Sequence, residues 1–241
     1  MVIDMKNFLC VLLSVITVLL SLVFCKIQHS SSNNINNNKF PLIIIDAGHG
    51  GEDGGAVAND GTLEKDLNLE ISLKLNDVLS ILGYKTKLIR DSDTDLHTSG
   101  DSIRERKVSD IHNRFEIMNN GGNCLYISIH QNKFNEEYVN GAQIFYSPND
   151  SESKELAHLI QKSISGQLQK DNNRIIKKSG TDIFLLYNAT KPTVMVECGF
   201  ISNASDLNNL KNSNYQNEMA LSIAMGIINY NISEDKNGSE I

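Results

Sequence analysis

Short apolar runs of strand length alternate along the chain with longer segments whose apolar residues recur at helical spacing. The helical segments cover residues 67–82, 103–119, 156–168 and 219–228. The strand-like runs, rich in Ile, Val, Leu and Tyr, are residues 43–45, 84–90, 124–129, 142–146, 183–187 and 193–200. Apolar strands separated by helices predict an open α/β fold, in which a mainly parallel, twisted sheet carries helices on both faces.

The first helical segment has clear boundaries in the sequence. Thr62 is a candidate N-cap and Gly83 a stop signal, so Glu64 is expected in the first helical turn. The exposed N–H groups and the helix dipole favour an ionised carboxylate at this position. Taken alone, such a residue is most simply a helix-capping glutamate.

An apolar run at the amino terminus falls outside this pattern. Residues 8–25 lie between Lys6 and Lys26 and are typical of a signal peptide or a short membrane anchor. We therefore expect export to an extracytoplasmic location, with membrane contact only through residues 8–25. Cleavage after this segment and lipidation of Cys25 stay open as alternatives.

The remaining organisation follows from composition. The stretch after the apolar run is rich in Ser and Asn and lacks apolar periodicity, and the last residues are again polar. We predict a signal peptide or anchor over residues 1–26, a flexible tether over 27–40, one folded domain over 41–231 and a disordered tail over 232–241.

Charge and cysteine content exclude two kinds of site. The formal net charge is −7 and the isoelectric point is near 5.4, whereas a nucleic-acid binder needs a basic face. Cys124 and Cys198 lie in predicted buried strands without CxxC partners, which argues against a thiolate metal site. Buried free thiols are favoured over a disulfide between them.

Two histidines stand where predicted strands end. His49 follows the strand at 43–45 and His130 follows the strand at 124–129. The carboxyl ends of parallel strands share one edge of a sheet, the edge at which open α/β folds carry their sites. With Glu64 as a third ligand and Glu197, in the last strand, to handle protons, these residues form a set that catalytic zinc uses.

Four sequence motifs carry a family resemblance. The motifs are DAGHGG (46–51), LEKDLNL (63–69), SIHQN (128–132) and VECGFISN (196–203). In this order, over residues 41–230, they resemble the zinc-dependent N-acetylmuramoyl-L-alanine amidases of bacterial peptidoglycan. The resemblance implies that His49, Glu64 and His130 bind Zn²⁺ and that Glu197 is catalytic.

A weaker similarity concerns the branch of this family. The segments RERK (104–107) and DIHNR (110–114) resemble the amidases that act in spore formation and germination on cortex peptidoglycan. This similarity implies a location in the intermembrane space of the forming spore. Asn132, Arg104 and Arg114 are then candidate substrate contacts, against the plainer interpretation of a loop asparagine and a solvated helix face. His97, His112 and His158 are expected in solvated or capping roles.

Two other functions stay open at this level. A zinc peptidase could use the same scaffold, and a wall-binding protein that has lost turnover could keep the ligands. Glu197 argues against the second, because a binding relic has no need of that carboxylate. The resemblance implies peptidoglycan as the substrate. Residues 146–193 hold only one clear helical segment, too little for the inhibitory helical insert of some relatives. We therefore expect control through the timing of synthesis, through metal occupancy or through a regulatory protein partner.

Overall fold

Six strands and six helices make up residues 40–238, the part of the chain that the computed structural model describes, with side chains described for residues 40–233. The strands are β1 (Leu42–Ala47), β2 (Thr86–Leu88), β3 (Cys124–Asn132), β4 (Gln143–Tyr146), β5 (Lys177–Lys178) and β6 (Thr193–Phe200). The helices are α1 (Glu64–Ile81), α2 (Ile103–Asn119), α3 (Ser151–Gln167), α4 (Phe184–Asn188), α5 (Ala204–Leu210) and α6 (Ser213–Gly238).

The amino-terminal predictions cannot be compared with these elements. The expected signal peptide or anchor over 1–26 and the tether up to residue 39 lie outside the described residues. Within the described range, no helix combines the length and the apolar character needed to cross a membrane. Helix α6 runs to Gly238, beyond residue 231, where the sequence predicts the end of the folded domain.

The strands form one sheet in the order β2-β1-β3-β6-β4-β5. Neighbouring strands are parallel except for β4 and β6, which pair antiparallel. The fold class predicted from the sequence is confirmed. Because β1, β3 and β6 lie side by side and run in the same direction, their carboxyl ends meet at one edge of the sheet.

The two faces of the sheet differ in what covers them. One face, here called the large-core face, packs against α1, α3 and α6 through a continuous cluster of buried aliphatic side chains. The other, here called the α2 face, packs against α2 and α4 through two smaller apolar clusters. Successive side chains of a strand point to opposite faces, so Ile127 and Ile129 enter the large core while Tyr126 packs on the α2 face.

Helix α2 has the limits that its periodicity predicts. Ser102 Oγ accepts from the Glu105 N–H at 3.3 Å, and Glu105 Oε2 accepts from the Ser102 N–H at 3.0 Å. This capping box satisfies donors that a helix start leaves unpaired. It therefore defines the residue at which α2 begins.

Three local predictions were wrong. Thr62 is not the N-cap of α1: Leu63 holds that position without a side-chain cap, because Leu63 forms a bridge with Val57 that leads the chain into the helix. Strand β2 covers three residues rather than seven, since the Tyr84 N–H bonds to the end of α1, at the Leu79 carbonyl.

The third wrong prediction is the strand at 183–187. These residues form the short helix α4, in which Leu185 and Leu186 pack with Met195 on the α2 face. A short apolar run is compatible with a buried strand or a buried helical turn, and periodicity cannot separate the two. The chain here covers the sheet instead of extending it.

Candidate metal centre

Two imidazoles and one carboxylate converge at the carboxyl edge of the sheet. His49 lies in the loop after β1, Glu64 is the first residue of α1, and His130 lies near the end of β3. His49 Nε2 is 3.3 Å from Glu64 Oε2, and His130 Nδ1 is 2.9 Å from Glu64 Oε1. One ligand atom from each residue lies within 4.8 Å of the other two. The structure thus brings together the three ligands inferred from the sequence.

Small residues make this approach possible. A Cβ on Gly48 would lie 2.1 Å from His130 Nε2, and a Cβ on Gly55 would lie 2.6 Å from Glu64 Oε2. His49 itself has φ of 62°, in the left-handed region, which costs an L-residue about 1–2 kcal/mol. The loop therefore places the imidazole at the cluster even though its backbone adopts an unfavourable conformation.

Asp53 orients the His49 ring, a role that the sequence analysis missed. Asp53 Oδ2 lies 2.7 Å from His49 Nδ1, which leaves Nε2 facing Glu64, and Asp53 Oδ1 binds Lys107 Nζ at 2.6 Å. Burial opposes a charged imidazole, but the hydrogen bonds that the imidazole donates to Asp53 and Glu64, and the charges of these carboxylates, outweigh it and raise the pKa of His49 to about 9. The sequence signal that could have revealed this role is a carboxylate four residues after the histidine.

Glu64 remains ionised in spite of its burial. Desolvation disfavours the carboxylate, but hydrogen bonds and charge from His130 and His49 hold its pKa well below the ordinary value. The Ala56 N–H also donates to Glu64 Oε2 at 2.8 Å. The Glu64 carboxylate, at the first position of α1, thus contacts the two histidines of the cluster instead of acting as an ordinary helix cap.

Glu197 has a different environment. It pairs with His130 in the register of β3 and β6, and its Oε2 is buried without a hydrogen-bond partner among the described residues. Burial raises its pKa to about 7; the Glu64 charge adds to this rise, and the charges of the two imidazoles oppose it. A buried carboxyl group with unused hydrogen-bonding capacity beside a cluster of ligands is a candidate proton carrier.

Two buried arginines hold the loop that carries His49. Arg90 donates to the carbonyls of Ala47 and Gly48, and Arg114 donates to those of Ala47 and His49. Arg114 also pairs with the carboxylates of Asp46 and Asp110, which hold its pKa above the ordinary value although burial opposes the charge. Both guanidinium groups point inward.

The burial of Arg114 corrects one of its two interpretations, and the substrate contact stays a prediction. The sequence favours a solvated helix face for this residue and offers a substrate contact as the alternative. It is 2% exposed, so the solvated face is wrong, and its donors are directed to protein carbonyls and carboxylates. Arg90 was predicted only as the last residue of a strand, and its role beside the site was missed, because most of its partners are distant in sequence.

A cavity of about 260 Å³ opens beside the cluster. His49, His130 and Asp53 contribute to a polar wall, and Ile111 of α2 with Phe184 and Leu185 of α4 contribute an apolar one. The misread segment at 183–187 thus supplies part of the cavity lining. Such a cavity, polar on one side and apolar on the other, suits a small polar group attached to a larger ligand.

The remaining candidates do not line this cavity. Asn132 is half-buried at the end of β3, where its carbonyl accepts from the Ile201 N–H at 2.8 Å. Arg104 is exposed and lines a groove of about 860 Å³ between α2 and the loop before it, as does His112. His97 pairs with Asp95 at 2.5 Å, and His158 is exposed, as predicted. Cys124 and Cys198 are buried free thiols, also as predicted.

Comparison with known proteins shows the family and agrees with the fold. The family described as N-acetylmuramoyl-L-alanine amidase matches residues 43–229. A germination-specific N-acetylmuramoyl-L-alanine amidase of Bacillus subtilis (strain 168) is 36% identical over 210 residues, covering 85% of this chain and 87% of the relative.

Solved structures give the same result. The CwlD amidase from Clostridioides difficile, in complex with the GerS lipoprotein, matches with a TM-score of 0.76 and 38% identity, covering 79% of this chain and 98% of that one. The catalytic domain of CwlV, an N-acetylmuramoyl-L-alanine amidase from Bacillus (Paenibacillus) polymyxa var. colistinus, matches with a TM-score of 0.68 and 28% identity, covering 79% of this chain and 98% of that one.

Proposed function

Because this chain belongs to the N-acetylmuramoyl-L-alanine amidase family, we propose that it hydrolyses the amide between N-acetylmuramic acid and L-alanine with one Zn²⁺ and that its substrate is spore cortex peptidoglycan. The family inferred from four motifs is confirmed, and with it the prediction of an amidase. The zinc, the roles of single residues and the cortex are the parts that we propose.

The donor set supports zinc. Two imidazole nitrogens and a carboxylate within 4.8 Å of one another are the ligands that catalytic zinc takes from a protein, with a fourth position left for substrate or water. His49 through Nε2, His130 through Nδ1 and Glu64 would hold the ion. Bound there, Zn²⁺ supplies a Lewis acid, which makes water nucleophilic near neutral pH and polarises a carbonyl.

Glu197 is the proposed proton carrier, and its position beside His130 is the observation that carries the mechanism. Its Oε2 accepts a proton from the attacking water as the new C–O bond forms. The same oxygen then delivers the proton to the alanine nitrogen as the C–N bond breaks, which releases a lactyl carboxylic acid and a free amine. The acid then loses its remaining proton to the amine or to solvent and becomes the lactyl carboxylate. A carboxyl group whose pKa is about 7 can both accept and donate near neutral pH.

Substrate contacts are proposed from exposure and place. Arg104 lies beside the groove on α2, and Asn132 lies two residues beyond His130, so both remain candidate contacts for the glycan or the stem peptide. Arg114 is 2% exposed but also lines the cavity beside the cluster, so a contact of its guanidinium with the substrate stays a proposal. The apolar wall formed by Phe184 and Leu185 would exclude water from one side of the scissile amide.

The cortex and a partner protein are proposed from the relatives. The Bacillus subtilis relative is germination-specific, and the Clostridioides difficile amidase was solved with a lipoprotein. We extend both properties to this chain: action outside the cytoplasm on spore peptidoglycan, and a lipoprotein as regulatory partner. Export through residues 8–25 is consistent with that location.

Digestion of purified peptidoglycan tests the activity and the metal together. We expect the full chain to release stem peptides that begin with L-alanine, to lose this activity with a chelator, and to regain it with Zn²⁺. Peptidoglycan from spores should be cleaved faster than that from growing cells. Equal rates would refute the cortex preference alone, whereas activity that persists after complete metal removal would refute the zinc.

The variant Glu197→Gln separates binding from chemistry. The amide is nearly isosteric but cannot carry the proton, so the rate should fall by about 10²-fold or more while zinc content is unchanged. Glu155→Gln, an exposed position on α3, is the matched control and should keep the wild-type rate. Near wild-type peptide release by Glu197→Gln would refute the assigned role.

A further inference from the structure

Three consecutive backbone carbonyls beside the cluster are bound by two buried arginines. We propose that Arg90 and Arg114 are positioning residues of the metal centre, which hold the loop of His49 in the conformation that binds zinc. This inference rests on the proposed zinc dependence. It assigns a role to two residues outside the proposed set of zinc ligands.

The hydrogen bonds converge on residues 47–49. The Ala47 carbonyl accepts from Arg90 Nε at 2.8 Å and from Arg114 Nη1 at 3.0 Å. The Gly48 carbonyl accepts from Arg90 Nη2 at 3.0 Å and from Asn68 Nδ2 at 3.1 Å. The His49 carbonyl accepts from Arg114 Nη2 at 2.8 Å. Each carbonyl of this segment is therefore fixed by at least one side chain from another element.

The backbone of this loop needs such support. His49, Gly50 and Gly51 have φ of 62°, 138° and 55°, three consecutive positive values. An unfolded chain rarely adopts this conformation at a histidine. Because the carbonyl directions determine the peptide planes, fixing the carbonyls on either side of His49 also determines where its Cβ and imidazole point.

Burying the two charged guanidinium groups costs free energy, which indicates that the arginines have a role other than packing. Arg90 is 4% and Arg114 is 2% exposed. Burial, and after it the charge of Arg114, lowers the pKa of Arg90. Among the described residues, Arg90 donates to the carbonyls of Ala47, Gly48, Lys65 and Ser92 and has no carboxylate as hydrogen-bond acceptor. Apolar side chains of similar volume would serve stability at least as well.

The fork of the guanidinium explains why arginine is used. Each arginine reaches two carbonyls of this segment with donors in a rigid plane, and the bonds are charge-assisted. A lysine at either position keeps the charge but presents one flexible ammonium group. The substitution Arg→Lys therefore removes the geometry of the contact while it leaves the local charge in place.

Zinc affinity of the full-length chain tests the proposal. Arg90→Lys and Arg114→Lys are titrated with Zn²⁺ against a chelator of known affinity, and thermal unfolding of the metal-free proteins is recorded in parallel. We expect the zinc Kd to rise by about 10- to 100-fold, the range found when groups that orient metal ligands are changed. A merely structural role would lower the unfolding temperature and leave the Kd of the folded protein unchanged.

Lys191→Gln is the matched control. Lys191 Nζ also binds two carbonyls, those of Asn119 at 2.8 Å and Gly122 at 2.6 Å, but near the start of β3 rather than its end. This variant should lose stability and keep the wild-type zinc affinity. An equal loss of affinity in the control would overturn the proposal, since it would show that any such loss of stability weakens the metal site.

Each remaining outcome is also decisive. Wild-type affinity in both arginine variants overturns the positioning role, and so does failure of both to fold, because the arginines would then hold the whole domain. Failure of the unmodified chain to bind zinc would instead refute the proposed function. Weakened zinc binding in folded arginine variants, with the control unchanged, supports the proposal.

Discussion

The two faces of the sheet share the same strands but differ in composition and role. On the large-core face, β1 and β3 present Ile45 and Ile127 to a continuous aliphatic cluster. On the α2 face, the next residues are Asp46 and Ser128, joined by a hydrogen bond of 2.7 Å and buried with Arg114. One face supplies the apolar contacts that stabilise the domain, and the other holds charged groups that shape the site. Changes on opposite faces of one strand should therefore separate stability from activity.

The largest effect on activity is expected from the ligands themselves. The double variant His49→Ala, His130→Ala should lose bound zinc and all measurable amidase activity, because two of the three ligands are gone. It should still unfold cooperatively, since the large-core face is untouched. Metal analysis of the purified variant checks the assignment, and stoichiometric zinc in it would rule out these ligands.

Adjacent residues of β3 give a direct comparison of the two faces. Ile127→Ala should destabilise the protein by about 2–5 kcal/mol through lost burial and the cavity left behind. Ser128→Ala should cost less, about 1.5–3 kcal/mol, since it removes one hydrogen bond to the buried, ionised Asp46. Denaturant unfolding measures both changes.

The activities of the same pair should follow the reverse order. Ile127→Ala should keep its activity per folded molecule, whereas Ser128→Ala should lower kcat/KM, because Asp46 also binds Arg114. A lower activity per folded molecule in Ile127→Ala than in Ser128→Ala would contradict the division of roles between the faces.

Helix packing on the large-core face can be tested with two glycines. A Cβ on Gly226 of α6 would lie 2.5 Å from Ile160 Cα of α3, so Gly226→Ala should destabilise by about 1–3 kcal/mol through overpacking. Gly166 of α3 has no atom within 4 Å of its added Cβ, so Gly166→Ala should be neutral or stabilise by up to about 1 kcal/mol. Thermal unfolding of both variants checks the difference, and equal shifts would mean that α3 and α6 do not pack this closely.

The smallest effect is expected at the start of α2. Ser102→Ala removes the side-chain acceptor of the capping box and should cost about 1 kcal/mol. Activity should be unchanged, since Ser102 lies outside the cluster of ligands. A loss of activity without a loss of stability would instead implicate the groove beside α2, to which Ser102 contributes.

Much of the fold could be predicted from the sequence because its signals are local. The limits of α2 follow from apolar spacing and its capping residues, and the mainly parallel sheet follows from apolar strands separated by helices. Strand-end positions of His49 and His130 predicted that they would meet, since parallel strands place their carboxyl ends together. The motifs were sufficient for the family, which the comparisons confirm.

Other features were decided only by the tertiary structure. The segment at 183–187 is a helix because it packs on the α2 face instead of joining the sheet, a choice that its short apolar run does not encode. Thr62 does not cap α1, because a bridge between Val57 and Leu63 leads the chain into the helix.

The surroundings of the candidate metal ligands show most clearly why these features could not be predicted. Arg90 lies 43 residues from Ala47, and Arg114 lies 65 residues from His49. Neither contact can therefore be recognised from apolar periodicity or from a local sequence pattern. The candidate metal ligands could be chosen from the sequence, since that choice depends on residue type and on position at strand ends. Only the packing of α2 and the chain after β2 against the loop decided how those side chains are held, because burial and hydrogen-bond geometry exist once distant segments meet.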